Sequence, residues 1–273
     1  PAQAYLGLMT HTDLGSWLYH TFDASSATGS WQVPLDLRFN LENENDLEVK
    51  GYIQFDDNSV QLVDFLPPLE QVKGRLHFSD QGARADQITA RWLGGAIQLS
   101  QQIGQPGELL HVKGKTTTEA WAQYMETPAL RELLSGQTTY QAQIGFDKKN
   151  QFFVSLQSEL QGLALHLPKP LNKAAEQSLP FRLQWQALNK KQHQLTAQID
   201  ERLKLRLIEN PQKTPFFSRG SLAWRQPLRE LPPQGMTVDL RHKELDLEAW
   251  QALMRQFNQS ESDESNAIFP DLV

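Results

Sequence analysis

Hydrophobic alternation with a period of two constrains this chain more than any other feature. Val33, Leu35, Leu37, Phe39 and Leu41 share one parity, with Gln32, Pro34, Asp36, Arg38 and Asn40 on the other. The pattern returns in Leu47, Val49, Gly51, Ile53 and Phe55, in Leu76 and Phe78, and in Tyr140, Ala142, Ile144 and Phe146. It continues through Phe152, Val154, Leu156 and Leu160; Phe181, Leu183, Trp185 and Ala187; Leu195, Ala197 and Ile199; Leu203, Leu205 and Leu207; and Met236, Val238 and Leu240. Successive side chains of a strand point to opposite faces, so strict alternation predicts strands with one apolar and one wet face. Roughly twelve to fourteen strands are expected on this pattern.

The separators are short and polar: "NENDL" (43–47), "DDNS" (56–59), "SDQG" (79–82), "DKKNQ" (147–151), "NKKQ" (189–192) and "IDER" (199–202). Polar turns between alternating runs predict hairpins, hence an antiparallel meander. Gly51, Gly74, Gly114, Gly136 and Gly220 open or close strands at spacings too irregular for a propeller or short-period solenoid. The fold class is therefore mainly β, a long antiparallel sheet grown by adding hairpins, with two or three short helices. Helical inserts are expected over 13–22, 117–134 and 246–257. The first places Leu14, Trp17, Leu18 and Phe22 on one stripe; the second opens on a Thr cap; the third opens on Asp246 and spaces Leu247, Trp250, Leu253, Met254 and Phe257 by three and four. Residues 1–257 form the sheet-bearing part, and 258–273, opening on the acidic "NQSESDESN" (258–266), are expected to be a flexible linker and the start of the next segment.

A search for chemistry comes back empty. The chain has no cysteine, which removes disulfides, thiolate metal sites and thiol nucleophiles. None of the seven histidines forms an i, i+4 pair, and His77, His111 and His166 sit on the polar parity of strands. No serine lies in a GxSxG elbow. The glycines of "WLGGAIQL" lack the helix and lysine of a phosphate loop and are read as a tight turn or bulge. The carboxylates of "LENENDLE" and "ESDESN" lack calcium-loop spacing. No catalytic residue, metal ligand or cofactor is nominated, and the chain is not expected to be an enzyme. Its net charge of −6 argues against nucleic acid and anionic lipid surfaces as partners, and its mean hydropathy of −0.52 against a membrane-embedded chain. No apolar run approaches the roughly 20 residues that span a bilayer. The chain opens on Pro1 and closes on "AIFPDLV", and is read as a piece of something longer.

Three stretches carry a resemblance: "LPPLEQVKGRLHFSDQGARADQITARWLGG" (66–95), "LQGLALHLPKPLNKAAEQSLPFRLQW" (160–185) and "LDLEAWQAL" (245–253). Together with "WLYHTFDASSATGSWQVPLDLRF" (17–39) they resemble, in order and over most of the chain, the central region of the YhdP branch of the AsmA-like envelope proteins of Gram-negative bacteria. The resemblance implies the periplasmic portion of an inner-membrane-anchored protein whose anchor lies outside this chain. It implies a curled, repeating β-groove with an apolar inside, and a part in moving phospholipid toward the outer membrane and in maintaining its barrier. The partners would be phospholipid acyl chains, the remainder of the longer chain, and other envelope proteins. No catalytic residues come with the family.

On that reading the core and the binding site are the same residues. The expected groove lining is Leu35, Leu37, Phe39, Val49, Ile53, Phe55, Leu76, Phe78, Tyr140, Ala142, Ile144, Val154, Leu156, Phe181, Leu183 and Trp185. The alternative is a non-catalytic β-scaffold of the envelope, its apolar face closed against protein. An outer-membrane barrel also alternates, but helical insertions, irregular strand spacing and the pairs Pro67-Pro68 and Pro232-Pro233 argue against it.

Overall fold

The structure, a computed structural model, describes residues 1–4, 25–39, 47–61, 67–79, 82–103, 109–124, 130–147, 151–189, 192–209, 217–242, 246 and 248–253. The expected helix at 13–22 and the linker at 258–273 lie outside the described residues. Among the described residues, fifteen strands belong to one mixed sheet that is not closed into a barrel. The chain divides into two units, residues 1–116 with 143–148, and 117–142 with 149–273.

In the first unit the strands are β1 (Ser26–Thr28), β2 (Leu35–Phe39), β3 (Leu47–Gln61), β4 (Leu69–Ser79), β5 (Gly82–Trp92), β6 (Gly95–Ile103) and β7 (Leu109–Thr117, its last residue in the second unit). β1 and β2 both pair with β3, and β3 to β7 follow in order, all antiparallel. Ile53 pairs with Leu76 and Leu76 with Ala85. Farther along, Ile88 pairs with Leu99 and Leu99 with Val112, and all six are buried.

"DDNS" is not the expected turn. It lies inside β3 as an irregularity, with register shifts between Asp56 and Asn58 and between Asn58 and Val60. Asn58, 2% exposed, accepts from the Asp56 amide at 2.9 Å and donates to the carbonyls of Thr28 and Ser30, each at 3.2 Å. The Asn side chain thus satisfies locally the backbone groups that a turn would have satisfied. Matching shifts occur in β4 between Glu70 and Lys73 and in β5 between Ala85 and Ile88. Asp57, Gln71 and Gln87 take positive φ at these three places. Each bulge inserts one residue and so switches parity. That is how Ile53 and Phe55 in one half of β3, and Asn58 and Val60 in the other, all reach buried positions.

Gly74 does not open a strand, contrary to expectation; it sits in the middle of β4. At φ +121 its missing Cβ would lie 2.9 Å from the Ile88 Cα and 3.0 Å from the Gln87 carbonyl oxygen, so glycine is what allows the β5 bulge to approach. Gly94 belongs to the tight β5–β6 turn, as expected: Trp92 pairs with Gly95 around Leu93 and Gly94, both at positive φ.

The second unit holds β8 (Leu134–Phe146, whose last four residues belong to the first), β9 (Phe152–Ser158), β10 (Leu163–Leu165), β11 (Phe181–Asn189), β12 (Gln192–Ile199), β13 (Leu203–Glu209), β14 (Phe217–Trp224) and β15 (Gly235–Leu240). β9, β11, β12, β13 and β14 pair antiparallel in that order. The last pair corrects the expectation of a wholly antiparallel sheet: β15 runs parallel to β14. The connection between them, 225–234, contains Pro227, Pro232 and Pro233 and carries the chain back before pairing, which no two-residue hairpin could do.

The 117–134 insert is shorter than expected. The described helical pieces are Thr118–Tyr124 and Leu130–Leu133, and Leu134 already belongs to β8. The Thr117 hydroxyl accepts from the Ala120 amide at 3.3 Å, the expected cap. The final insert is helical over 248–253, and the Asp246 carboxylate accepts from the Ala249 amide at 2.9 Å.

Candidate apolar face and its polar border

Register in the second unit assembles one face row by row. Leu156, Leu183, Ala197, Leu205, Leu222 and Val238 are successive cross-strand partners from β9 to β15. On one side runs the row Val154, Trp185, Leu195, Leu207, Gly220 and Met236, and on the other Ser158, Phe181, Ile199, Leu203, Trp224 and Leu240. The reverse face carries Gln157, Arg182, Gln198, Lys204, Ala223 and Asp239 in one row, and Ser155, Gln184, Thr196, Arg206, Ser221 and Thr237 in the next.

The central apolar row is nowhere sealed. Leu156 through Leu222 are half-buried, and Val238 is 42% exposed. The flanking rows close at β13 and β14, where Leu207, Gly220 and Trp224 are buried; on β15 Met236 stays buried and Leu240 is 48% exposed. Six strands at about 4.8 Å spacing make the row about 24 Å long, more than the ~15 Å depth of one bilayer leaflet's hydrocarbon. Chemically this is a stripe of aliphatic surface with no charge along it.

The expected lining residues divide sharply. Ile53, Phe55, Leu76 and Phe78 in the first unit are buried. Leu35 and Leu37 on β2 are exposed, and Phe39 and Val49 are placed by strand register alone, Val49 opposite Leu37. On β8, Tyr140 and Ala142 are buried and Ile144 half-buried; burial pushes the Tyr140 phenol above its usual range. Val154, Leu156, Phe181, Leu183 and Trp185 come together on the half-buried face just described. The sixteen residues therefore do not form one uniform surface.

A fourth row borders that face: Ala187, His193, Glu209 and Phe217. The Trp185 indole Nε1 donates to Glu209 Oε2 at 2.8 Å, and His193 Nδ1 stands 3.4 Å from Oε1. The Trp185 and His193 rings lie 4.5 Å apart, tilted by 43°. Sequence reasoning overlooked this cluster, although its signal was present. His193 shares the parity of Leu195 and Ala197, and Glu209 that of Leu205 and Leu207, so two ionisable groups stood on the apolar side of neighbouring strands.

A second feature had no sequence signal. Lys173, in the segment joining β10 to β11, is 5% exposed and donates to the carbonyls of Leu160 at 2.7 Å, Leu163 at 2.5 Å and Ala174 at 3.0 Å. Burial lowers its pKa, and the charge of Glu176 works in the opposite direction. With all three ammonium protons donated to carbonyls, Lys173 is a staple for the loop.

Among the described residues, no group of three or more His, Asp or Glu is placed to hold a metal ion, and no helix is long and apolar enough to cross a membrane. No curated protein and no solved structure matches the chain. A family model described as YhdP protein matches it over residues 1–273; YhdP is not a known enzyme family, and membership suggests a role in the envelope and in lipid transport. The chain belongs to the YhdP family.

Proposed function

We propose that the chain is the periplasmic segment of an inner-membrane-anchored lipid-transport protein, and that it shields phospholipid acyl chains on their way between inner and outer membrane, supporting the outer-membrane barrier. The observation that carries this reading is the unsealed aliphatic row from Leu156 to Val238. Moving a tail with about fifteen methylenes through water costs about 12 kcal/mol at ~0.8 kcal/mol each. An aliphatic surface offsets most of that cost without any reactive group, and it discriminates little between tails. Family membership and the apolar row support the reading together.

The test is a photoreactive residue at Leu183 or Ala197, on the open row, and at Ile53, in the sealed face, each followed by irradiation in cells. Phospholipid adducts are expected at 183 and 197 and not at 53. No adduct at any position would sink the conduit. A second reading, a β-scaffold of the envelope, is favoured by the buried apolar face of the first unit. It expects Leu156→Asp simply to unfold the protein, whereas the conduit expects a folded variant that has lost its lipid adducts.

A further inference from the structure

Glu209 is the anomaly of the apolar face. It is 5% exposed, and among the described residues no lysine or arginine lies within ion-pair range of its carboxylate. His193 is a cation only when protonated, and its Nδ1, buried, makes no hydrogen bond even to Oε1 at 3.4 Å. A buried carboxylate is stable when paired and hydrogen-bonded, and an ionised one accepts about four hydrogen bonds. Trp185 fills one position on Oε2. Oε1 is left with a loose contact, beside two tilted aromatic rings.

The geometry points to Glu209, with Trp185 and His193, as a recognition site for the primary ammonium of a phospholipid headgroup, set at the border of the surface that takes the tails. This rests on the lipid reading above. An ammonium brings three donors and a positive charge. It would replace His193 in front of Oε1. The position suits an amphiphile: two residues along each strand from Trp185, Leu195 and Leu207, the row Ala187–His193–Glu209 is where the apolar face first turns polar. A lipid bearing only anionic or hydroxyl groups at its head gains nothing there and meets a carboxylate.

The test compares phosphatidylethanolamine with phosphatidylglycerol of the same tails, loaded from vesicles of each lipid onto the full 273-residue chain and counted by native mass spectrometry. A preference of about tenfold for the ethanolamine lipid is expected, the order of one charge-assisted hydrogen bond. E209Q keeps the shape and an acceptor for Trp185 and is expected to bring the ratio close to one by lowering ethanolamine-lipid binding to the level of the glycerol lipid. Because E209Q could fold poorly, a second arm leaves the protein unaltered and uses N-acylated phosphatidylethanolamine, whose amine is an amide. It should bind no better than phosphatidylglycerol. Equal binding of ethanolamine and glycerol lipids by the unaltered chain overturns the headgroup site and leaves the lipid reading standing. Binding of neither lipid overturns both.

Discussion

The two units carry the same alternating pattern and use it differently. In the first, the apolar face of β3 to β7 is sealed, with Ile53 at 2% exposure, and the polar face is wet. In the second, the central row of the apolar face is half-buried from Leu156 to Leu222. A half-covered apolar face contributes less to stability, at roughly 25 cal/mol per Å² removed from water. The second unit adds polar staples: Lys173 on three carbonyls, Trp185 on Glu209, and Ser158, whose hydroxyl donates to the Thr139 carbonyl at 2.7 Å and accepts from the Leu160 amide at 3.0 Å. Hydrogen bonds of this kind tie strands and loops together without covering the apolar row.

A charge placed on each apolar face tests the contrast most severely. Ile53→Asp buries an unpaired carboxylate and is expected to cost about 4 kcal/mol or more. Leu183→Asp, on the half-buried row, is expected to cost about 1–2 kcal/mol, because its carboxylate keeps access to water. Urea denaturation of both variants measures the difference; equal losses would erase the distinction between the units.

The bulged seam of the first unit comes next. Gly74→Ala forces a Cβ to within 2.9 Å of the Ile88 backbone at a φ that alanine disfavours, and about 2–3 kcal/mol should be lost. Alanine at Gln71, where φ is also positive but an L-residue is already tolerated, should change stability by less than about 1 kcal/mol. If the two are equally mild, close approach at the bulge is not what glycine is there for.

For the second unit the staple is the sensitive point. Lys173→Met takes the ammonium donor from three carbonyls, of which those of Leu160 and Ala174 keep a backbone amide donor, and should cost about 2 kcal/mol in denaturant titrations. The pH dependence has a definite sign. Folding lowers the Lys173 pKa below its ordinary 10.5, so between the lowered value and 10.5 the unfolded chain binds more protons. Stability attributable to this residue therefore rises with pH through that window, and the burial penalty on the ammonium stands in full below it. Subtracting the Lys173→Met profile from that of the unaltered protein isolates the slope, and a falling difference would contradict it.

The smallest effect is Trp185→Phe, which removes the indole donor from Glu209 and should cost about 1 kcal/mol. Removing both partners, in Trp185→Phe with Glu209→Leu, should recover most of that loss, since a buried carboxylate without its donor is worse than an aliphatic side chain. A double variant weaker than either single one would mean that the cluster is integral to the fold.

Much of the strand layout was legible because alternation is a local property. Leu183 and Trp185 share a face whatever surrounds them. "SDQG" stands between two paired strands as expected, with Ser79 opposite Gly82, while "DDNS" misled because the same residues that favour turns can absorb a bulge through the Asn58 side chain. The candidate site was legible in its apolar rows; at its border the parity of His193 and Glu209 was legible and their pairing was not. His193 and Glu209 are sixteen residues apart, and only the register of β12 on β13 sets them opposite each other.

By itself, the sequence determined that each strand has an apolar and a polar face, where most of the hairpins turn, and which family the chain resembles, since these depend on neighbouring residues and on motif order. The tertiary structure alone decided which apolar faces are sealed and which stay partly open, that β15 returns parallel to β14, and that a buried carboxylate stands at the edge of the open row. The physical reason is that alternation says which side of a strand is oily but carries no information about what covers it. Cover is supplied by residues distant in the chain, and their arrival is a property of the whole fold.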